Sequence, residues 1–285
     1  MYLPRKYHEE DYLSIPLDRT TKILYNCSQN NGLAYAGSTH DSGSWRPGSI
    51  PGSPKMSIMI DIQHLGIIMD GNRRWAKSHG IPSLLGHQEG YENLKKIIPA
   101  VFDRGIHVLT LFAFSTENWK RGQDEVDHLL KLFYHAIDEE FANLTKKGVQ
   151  VRFIGDIEAF PPTLRNAMKT CMEESKNNIK NILNIAVNYG GRSEIIHAIK
   201  TILRSSSTPD MVTEEMISHS IYTPDLPDPD LIIRTSGERR LSGFLMWQSA
   251  YSELYFTDTY WPEFTEADLD AALFDYAARM RRFGL

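Results

Sequence analysis

The sequence has few cysteines and no excess of basic residues, and both shortages narrow what the protein can be. Its 285 residues include two cysteines, Cys27 and Cys171, and neither belongs to a CxxC pair or a Cys/His cluster. Neither a disulfide framework nor a zinc site is therefore predicted, and a reducing compartment is expected. The formal net charge is -5, whereas a general nucleic-acid binder needs a basic surface to meet phosphates. We expect no nucleic-acid partner, which leaves room for a local basic site that binds a small anion.

Long apolar runs and the glycine motifs of nucleotide-binding proteins are also missing. No apolar run approaches the roughly 20 residues of a membrane-spanning helix. The first residues lack the apolar core of a secretory signal, and their acidic residues fit poorly with a transit peptide. A cytoplasmic location is expected, with import into an organelle left open. The absence of GxGxxG and GxxxxGK[ST] disfavours a dinucleotide-binding or P-loop enzyme.

Residues 1–60 differ in composition from the rest of the chain. The stretch from Asn30 to Pro54 is rich in serine, glycine and proline, a composition that does not support packed helices or strands. We expect a mobile or loop-rich N-terminal extension over residues 1–60 and one folded domain over residues 61–285.

Short apolar runs alternate with segments of helical periodicity from about Ile62 onward. Most of the runs are apolar at successive positions, which is typical of strands buried on both faces of a parallel sheet. The predicted strands are Leu65–Met69, Val108–Phe114, Val149–Ile154, Ile182–Val187, Leu231–Ile233 and Glu253–Phe256. This alternation predicts an α/β fold, a single domain with a central, mostly parallel six-stranded sheet flanked by helices.

Polar residues follow the first predicted strand, at the edge where parallel sheets bind ligands. Asp70 leaves this strand, Gly71 allows backbone to approach a ligand closely, and Arg74 suits a phosphate. A carboxylate beside bound phosphates could hold Mg²⁺. A helix-capping Asp-Gly pair is the alternative interpretation.

Three further segments indicate the same kind of site. The segment Arg234–Ser242 contains three arginines and two serines, which can form a multidentate anion site. Ser115–Arg121 can orient a substrate, although Ser-Thr-Glu is also an ordinary helix-cap signal. Glu253 lies among aromatic and apolar residues, where a carboxylate needs either a metal or an arginine partner. Two anion pockets, two candidate metal carboxylates and apolar walls suit a substrate with a diphosphate head and an apolar tail.

These segments, in this order, resemble the undecaprenyl diphosphate synthase family, the cis-prenyltransferases. The resemblance covers about Ile62 to Leu285 and rests on several motifs, namely HLGIIMDGNRRWA from His64, Gly86-His87, LTLFAFSTENW from Leu109, Ile154-Gly-Asp, NIAVNYGGR from Asn184, IRTSGE from Ile233, WQSAYSELYF from Trp247 and Arg281-Arg-Phe-Gly. It implies a Mg²⁺-dependent condensation of isopentenyl diphosphate with an allylic diphosphate (farnesyl, geranyl or dimethylallyl) to give a Z-polyprenyl diphosphate. It also implies a homodimer, with peripheral membrane contact through the lipid product.

The resemblance assigns roles to individual residues. It implies that Asp70 is a catalytic Mg²⁺ ligand, that Asn118 aids proton removal, and that Glu253 is a second metal contact, reaching the neighbouring subunit's site. It implies substrate binding by Gly71, Asn72, Arg73, Arg74, Trp75, Ser83 and His87 around the allylic diphosphate, by Ser115, Thr116, Glu117, Trp119 and Arg121 in the second motif, and by Arg234, Arg240, Leu241 and Ser242 at the isopentenyl diphosphate. We expect Asp70 to matter through the metal and the leaving group rather than through folding.

Three positions depart from the bacterial pattern of the family. Arg73 stands where glycine is usual, Ser83 stands where many members carry an arginine for the allylic diphosphate, and Gly122 replaces a common proline. The missing cation at Ser83 leaves the starter open. A short product of neryl or Z,Z-farnesyl size is the alternative to a polyprenyl product. A non-catalytic partner subunit is the other alternative, which the presence of the motif residues opposes.

The growing hydrocarbon chain needs an apolar tunnel. We expect its walls to include Phe112, Ala113 and Ile185 of the sheet and the helical segment Leu129–Leu144. Because Ala113 is small, it leaves room for a long tail and favours the polyprenyl product.

Overall fold

The computed structural model describes residues 62–204, 208 and 212–279, and the backbone of two strands nearer the start of the chain. The chain divides into two units, Met1–Ile60 and Asp61–Leu285. In the first unit, β1 (Tyr12–Leu17) pairs antiparallel with β2 (Thr21–Asn26), a pairing that the sequence did not predict. The remainder of the predicted extension over residues 1–60 lies outside the described residues.

The second unit contains a six-stranded sheet in which every neighbouring pair of strands is parallel. The strand order is β5-β6-β4-β3-β7-β8. These strands are β3 (His64–Ile68), β4 (Val108–Ser115), β5 (Val149–Ile154), β6 (Asn181–Tyr189), β7 (Leu231–Arg234) and β8 (Glu253–Phe256). The predicted α/β fold is confirmed, and the structure contains each predicted strand with its ends shifted by at most two residues.

Helices connect the strands of this sheet. They are α1 (Asn72–Ser78), α2 (Ser83–Asp103), α3 (Gln123–His135), α4 (Ala142–Lys146), α5 (Pro162–Ser175), α6 (Gly191–Arg204), α7 (Glu214–Ser218) and α8 (Glu266–Ala278). A π-helical turn, Ala136–Phe141, joins α3 to α4, so the segment predicted as one helix from its periodicity is helical throughout. Among the described residues, no helix combines the length and apolarity that a bilayer crossing needs.

The central strands are buried on both faces. All five residues of β3 and all four residues of β7 are buried. Because successive side chains of a strand point to opposite faces, burial of successive residues means that both faces are covered. This arrangement explains why the predicted strands read as continuous apolar runs rather than alternating ones. It also leaves the ends of the strands as the places where polar side chains reach solvent.

A chain of hydrogen bonds crosses the buried sheet from β3 to β6. The Nδ1 atom of His64 lies 2.6 Å from the carbonyl oxygen of Pro227, which can only accept, so we assign the ring proton to Nδ1. Nε2 then accepts from the hydroxyl of Thr110 at 2.7 Å, and that hydroxyl accepts from the side-chain amide of Asn184 at 3.2 Å. Burial lowers the pKa of His64 to about 4, against the raising effects of Pro227 and Asp230. The network therefore requires a neutral imidazole.

We predict that His64 contributes to a loss of stability as the pH falls from 7 to 4.5. The pKa of His64 is lowered from 6.5 to about 4 on folding. Between these two pH values, His64 is therefore protonated in the unfolded chain but remains neutral in the folded chain. Protonation of His64 in the unfolded chain should by itself lower the free energy of unfolding by about 2 to 3 kcal/mol between pH 7 and pH 4.5. Urea unfolding at several pH values should show a smaller loss for His64→Asn than for the wild type. The exposed His219, changed to Asn, is the control, and equal losses in both variants would contradict the assignment.

Candidate active site

Many of the predicted site residues lie around one cavity at the carboxyl edge of the sheet. The cavity has a volume of about 930 Å³. Its lining includes residues at or just after the carboxyl ends of β3, β4, β6 and β7. The predicted site residues among them are Asp70, Asn72, His87, Ser115, Thr116, Glu117, Asn118, Arg121, Arg234 and Ser242. The structure thus brings together segments that are up to about 170 positions apart in the chain, because parallel strands end at the same edge.

The rest of the lining is mostly apolar. It includes Phe112, Ala113 and Ile185 of the sheet, and Leu129, Leu132, Phe133, Ala136 and Phe141 of the α3–α4 segment. The residues predicted to wall a tunnel therefore lie in the cavity wall. One continuous volume presents both a charged edge and a large apolar surface.

Asp70 forms ion pairs with two arginines at this edge. It follows β3 by two residues, and Nη2 of Arg234, the last residue of the adjacent β7, donates to its Oδ2 at 2.8 Å. Nη2 of Arg74 lies 3.2 Å from Oδ1. Burial acts to raise the pKa of Asp70, but the hydrogen bond and charge of Arg234, and then those of Arg74, outweigh it and lower the pKa. Asp70 is therefore ionised at neutral pH, and each of its oxygens retains a free lone pair.

Thr235, which the sequence did not single out, holds the backbone of Asp70. Its hydroxyl accepts from the N–H of Asp70 at 2.9 Å and donates to the carbonyl of Asp70 at 2.6 Å. The N–H of Trp261 donates to the same carbonyl at 3.0 Å. Thr235 is fully buried, so these contacts are shielded from water. The only sequence signal for this residue is its place in the IRTSGE motif.

The arginines of the predicted anion sites share partners. Nη1 of Arg234 donates to the hydroxyl of Ser242 at 2.8 Å and to the carbonyl of Arg240. Arg74 donates to Glu238 at 3.0 Å and to Ser236, and Glu238 also pairs with Arg240. The two predicted anion sites are therefore contiguous. Glu238, which no prediction included, joins them.

Glu125 is a second acidic residue that the sequence analysis missed. Its Oε1 lies 2.8 Å from Nη1 of Arg121, 3.1 Å from Nε2 of His87 and 3.9 Å from Nε of Arg73. Burial acts to raise the pKa of Glu125, but the hydrogen bond from His87 and the charges of Arg121 and Arg73 outweigh it and lower the pKa. The four-residue spacing from Arg121 gives no helical signal for this contact, because the backbone of Arg121 is extended and α3 begins only at Gln123.

The second motif forms a 3₁₀ turn, Thr116–Lys120, that carries Asn118. The backbone N–H of Ser115 donates to the amide oxygen of Asn118 at 2.7 Å. Trp119 is absent from the cavity lining, and its Nε1 donates to the side chain of Asn188 at 2.8 Å. Trp119 therefore anchors the turn from behind. Asn188 has a φ of 43°, a left-handed conformation that asparagine tolerates better than most residues.

Gly71 is required at the start of α1 for both conformation and space. Its φ is 110°, and an added β-carbon would lie 2.9 Å from the side chain of Ser236 and 2.8 Å from that of Tyr260. The loop after β3 can therefore pack against the loop after β7 only if the residue at this position lacks a side chain. Asn72 follows it, lines the cavity, and has a buried amide oxygen with no partner among the described residues.

The other predicted substrate-binding residues, which include Gly71 and Arg74, lie outside the cavity lining. Trp75 donates from Nε1 to Glu263 at 2.8 Å, and Ser83 begins α2. Leu241 packs against a buried apolar cluster that includes Ile68, a residue of the cavity lining. Arg73 and Arg240 point largely into solvent, with exposed side-chain fractions of 58% each.

The structure separates Glu253 from Asp70 within the chain. Glu253 begins β8 in register with Leu231, the first residue of β7, so it lies at the amino edge of the sheet. Arg279 donates from Nη1 to its Oε2 at 2.7 Å. Of the two partners that the sequence left open for Glu253, a metal or an arginine, the contact within this chain is with an arginine, Arg279. Over the described ranges, no three histidine, cysteine, aspartate or glutamate side chains form a cluster suited to a metal ion.

Comparison with known proteins agrees with this architecture. The prenyltransferase family model, described as undecaprenyl diphosphate synthase, matches residues 68–284. An isoprenyl transferase from Halalkalibacterium halodurans is 49% identical over 78% of this chain and 88% of its own length. A ditrans,polycis-undecaprenyl-diphosphate synthase, (2E,6E)-farnesyl-diphosphate specific, from Xanthomonas axonopodis pv. citri is 47% identical over 81% of this chain and 91% of its own.

A solved structure extends the similarity to three dimensions. Lavandulyl diphosphate synthase from Lavandula x intermedia, in complex with dimethylallyl diphosphate, is 36% identical and aligns with a TM-score of 0.76. The alignment covers 79% of this chain and 98% of that one. Since the family model spans most of the chain and the relatives match it along most of their own length, the chain belongs to the undecaprenyl diphosphate synthase family of isoprenyl transferases.

Proposed function

We propose that this chain condenses isopentenyl diphosphate with an allylic diphosphate and releases a Z-polyprenyl diphosphate. The observation that carries the proposal is the single cavity in which arginines meet a large apolar wall. Diphosphates require cations and N–H donors, whereas a prenyl chain requires apolar surroundings. None of the residues proposed for the site lies in residues 1–60, so we propose residues 61–285 as the catalytic domain.

The allylic diphosphate is proposed to bind beside Asp70, Arg74 and His87. The bond between the allylic carbon and the diphosphate oxygen breaks, and negative charge grows on the departing diphosphate. Arg121 in the cavity lining, and Arg74 beside Asp70, stabilise that charge because Glu125 and Asp70 already orient them. Fixed cations of this kind need little reorganisation as the charge develops.

Isopentenyl diphosphate is proposed to bind at Arg234, Arg240 and Ser242. Its double bond attacks the allylic carbon as the bond to the departing diphosphate breaks. That diphosphate is the available base, and it accepts the proton whose loss sets the new double bond. Asn118 lies on the turn beside this path and is a neutral amide. It therefore aids removal of the proton by orienting the reacting groups rather than by accepting the proton itself.

The ionised carboxylate of Asp70 would suit a magnesium ion. Magnesium is typically held by one or two carboxylates together with phosphate oxygens and water, so one ionised carboxylate with free lone pairs is sufficient. When bound, the ion would neutralise charge on the diphosphates. Glu253 lies at the opposite edge of the same sheet, so its proposed metal contact depends on a neighbouring subunit.

The reaction is tested by incubating the full chain with Mg²⁺, radiolabelled isopentenyl diphosphate and, in turn, farnesyl, geranyl and dimethylallyl diphosphate. Extension of a starter through Z double bonds is expected, with a polyprenyl product. Products of only two or three isoprene units would replace the polyprenyl proposal by the short-chain alternative. If none of the three starters is extended, the proposed catalytic activity would be contradicted and a non-catalytic partner subunit would be favoured.

We predict that Asp70→Asn removes most activity without unfolding the protein. Asparagine keeps an oxygen that can accept from the buried Arg234, but it loses the charge needed by the metal and by Arg74. Loss of one preorganised electrostatic contact costs about 10²–10³-fold in turnover. Loss of the metal as well should bring the decrease to at least about 1,000-fold at saturating substrate.

The control for this variant is Asp225→Asn, since Asp225 pairs with Arg152 at 2.8 Å outside the cavity lining. It should leave turnover near the wild-type value. EDTA should reduce the wild type to the level of Asp70→Asn and do little further harm to the variant. Near-normal turnover of a folded Asp70→Asn protein would refute the role given to this carboxylate.

We predict that Ala113→Leu shortens the product. Ala113 lies in the cavity wall, and a larger side chain there takes up volume that the growing tail would occupy. Chromatography of the products should show a distribution shifted to shorter chains at a comparable rate of isopentenyl diphosphate consumption. Ala271→Leu on the exposed side of α8 should leave the distribution unchanged. An unchanged distribution for Ala113→Leu would show that the tail takes another path.

A homodimer is also proposed, because large apolar side chains of α6 are exposed in the single chain. Ile196, Ile199 and Leu203 have exposed fractions of 53%, 44% and 65%, and their spacing places them on one side of the helix. An exposed apolar stripe of this kind is typical of a surface that another protein covers. We propose a second copy of this chain as the occupant.

We predict that Ile199→Glu converts the dimer to a monomer, because a charge would be buried in the proposed contact. Sedimentation velocity at micromolar concentration should show the change directly. Ile179→Glu is the control, since Ile179 is 88% exposed and lies outside α6. A wild-type protein that sediments as a monomer under these conditions would contradict the dimer.

A further inference from the structure

The cavity lining contains three arginines, and two of them are already paired with carboxylates. Arg121 binds Glu125 at 2.8 Å, and Arg234 binds Asp70 at 2.8 Å. Arg192 also belongs to the lining, but it forms no hydrogen bond or ion pair with any residue in the described ranges of the chain. It belongs to the NYGGR motif, to which no role has been given above.

Arg192 is held beside the residues proposed to bind isopentenyl diphosphate. It is the second residue of α6, and the N–H of the preceding Gly191 donates to the carbonyl of Gly243 at 2.7 Å. A β-carbon at Gly191 would lie 2.7 Å from that oxygen, so the close approach depends on glycine. Gly243 follows Ser242, whose hydroxyl accepts from Arg234. The start of α6 and the Ser242–Arg234 pair therefore form one continuous part of the wall.

A buried carboxylate fixes the backbone on both sides of this contact. Glu194, two residues after Arg192, is fully buried and accepts from the hydroxyl of Tyr189. It also accepts from the side chain of Gln248 and from the backbone N–H of Tyr222, each at 3.1 Å. The helix start and the segment after Ser242 are thus tied to the same group. Arg192 extends from this fixed backbone with an exposed side chain that can move onto a ligand.

The charge balance at this edge favours diphosphate binding by Arg192, which has no ion-pair partner among the described residues. A diphosphate brings several negative charges, while the charges of Arg121 and Arg234 are partly offset by Glu125 and Asp70. Arg192 can bind an anion without breaking an existing ion pair. Its guanidinium suits bidentate contact with phosphate oxygens.

We propose that Arg192 is a further substrate-binding residue, which contacts the diphosphate of isopentenyl diphosphate beside Arg234 and Ser242. The assignment rests on the proposed function.

The test compares Arg192→Gln with Arg204→Gln, which removes an arginine from the far end of the same helix, outside the cavity lining. With the allylic diphosphate saturating, the KM for isopentenyl diphosphate should rise by about 10–100-fold in Arg192→Gln, the usual cost of losing a charged hydrogen bond. The KM for the allylic diphosphate should stay within about two-fold, and Arg204→Gln should match the wild type in both values. Arg192→Lys should recover part of the loss, because it restores the charge without the planar fork.

A second readout does not depend on turnover. Calorimetric titration with inorganic pyrophosphate and Mg²⁺ should show weaker binding to Arg192→Gln than to Arg204→Gln or the wild type. An active wild type whose Arg192→Gln variant keeps both its KM values and its pyrophosphate affinity would overturn the inference and leave the proposed function intact. A rise in the allylic KM instead would overturn the assignment to isopentenyl diphosphate. If the wild type shows no turnover, the proposed function fails, while selectively weaker pyrophosphate binding would still support Arg192 as an anion contact.

Discussion

The rest of the site depends on the ion pair and hydrogen bonds that the buried guanidinium of Arg234 forms. Its side chain is only 5% exposed, and a buried charge is costly unless it is paired. Asp70, Ser242 and the carbonyl of Arg240 supply the partners, and they come from the loop after β3 and the loop after β7. These contacts therefore tie together two loops that the parallel strands already place at the same edge of the sheet. Asp70 consequently supports the fold as well as the proposed chemistry, a contact that the sequence-based expectation for this residue did not include.

The other cations of the site follow the same principle. Glu125 holds Arg121 and His87, and Glu238 joins Arg74 to Arg240. These carboxylates orient the donors in advance and lower the net positive charge of the empty edge. A diphosphate can then replace or share those contacts without large side-chain rearrangement, which is the condition under which fixed charges stabilise a developing anion most strongly. The cavity wall beyond the edge supplies the apolar surface on which a hydrocarbon chain can lie.

Much of this arrangement could be predicted from the sequence because it follows from strand topology. Continuous apolar runs indicate a parallel sheet, and residues such as Asp70 and Arg234, which follow such runs, must meet at one edge. The roles of Thr235 and Glu125 could not be predicted, because they depend on side-chain contacts across loops whose paths the sequence does not reveal. The hydrogen bond of Trp119 outside the cavity could not be predicted for the same reason, since its partner Asn188 is 69 positions away along the chain.

The proposed reaction requires this edge to hold two diphosphates at once, one beside Arg74 and one beside Arg234. The most direct test is calorimetric titration of isopentenyl diphosphate into the full chain saturated with Mg²⁺ and farnesyl S-thiolodiphosphate, an allylic analogue with a poor leaving group. We expect isopentenyl diphosphate to bind to the saturated protein, with one molecule per chain, while the analogue stays bound. Displacement of the analogue, or the absence of any further binding, would contradict it.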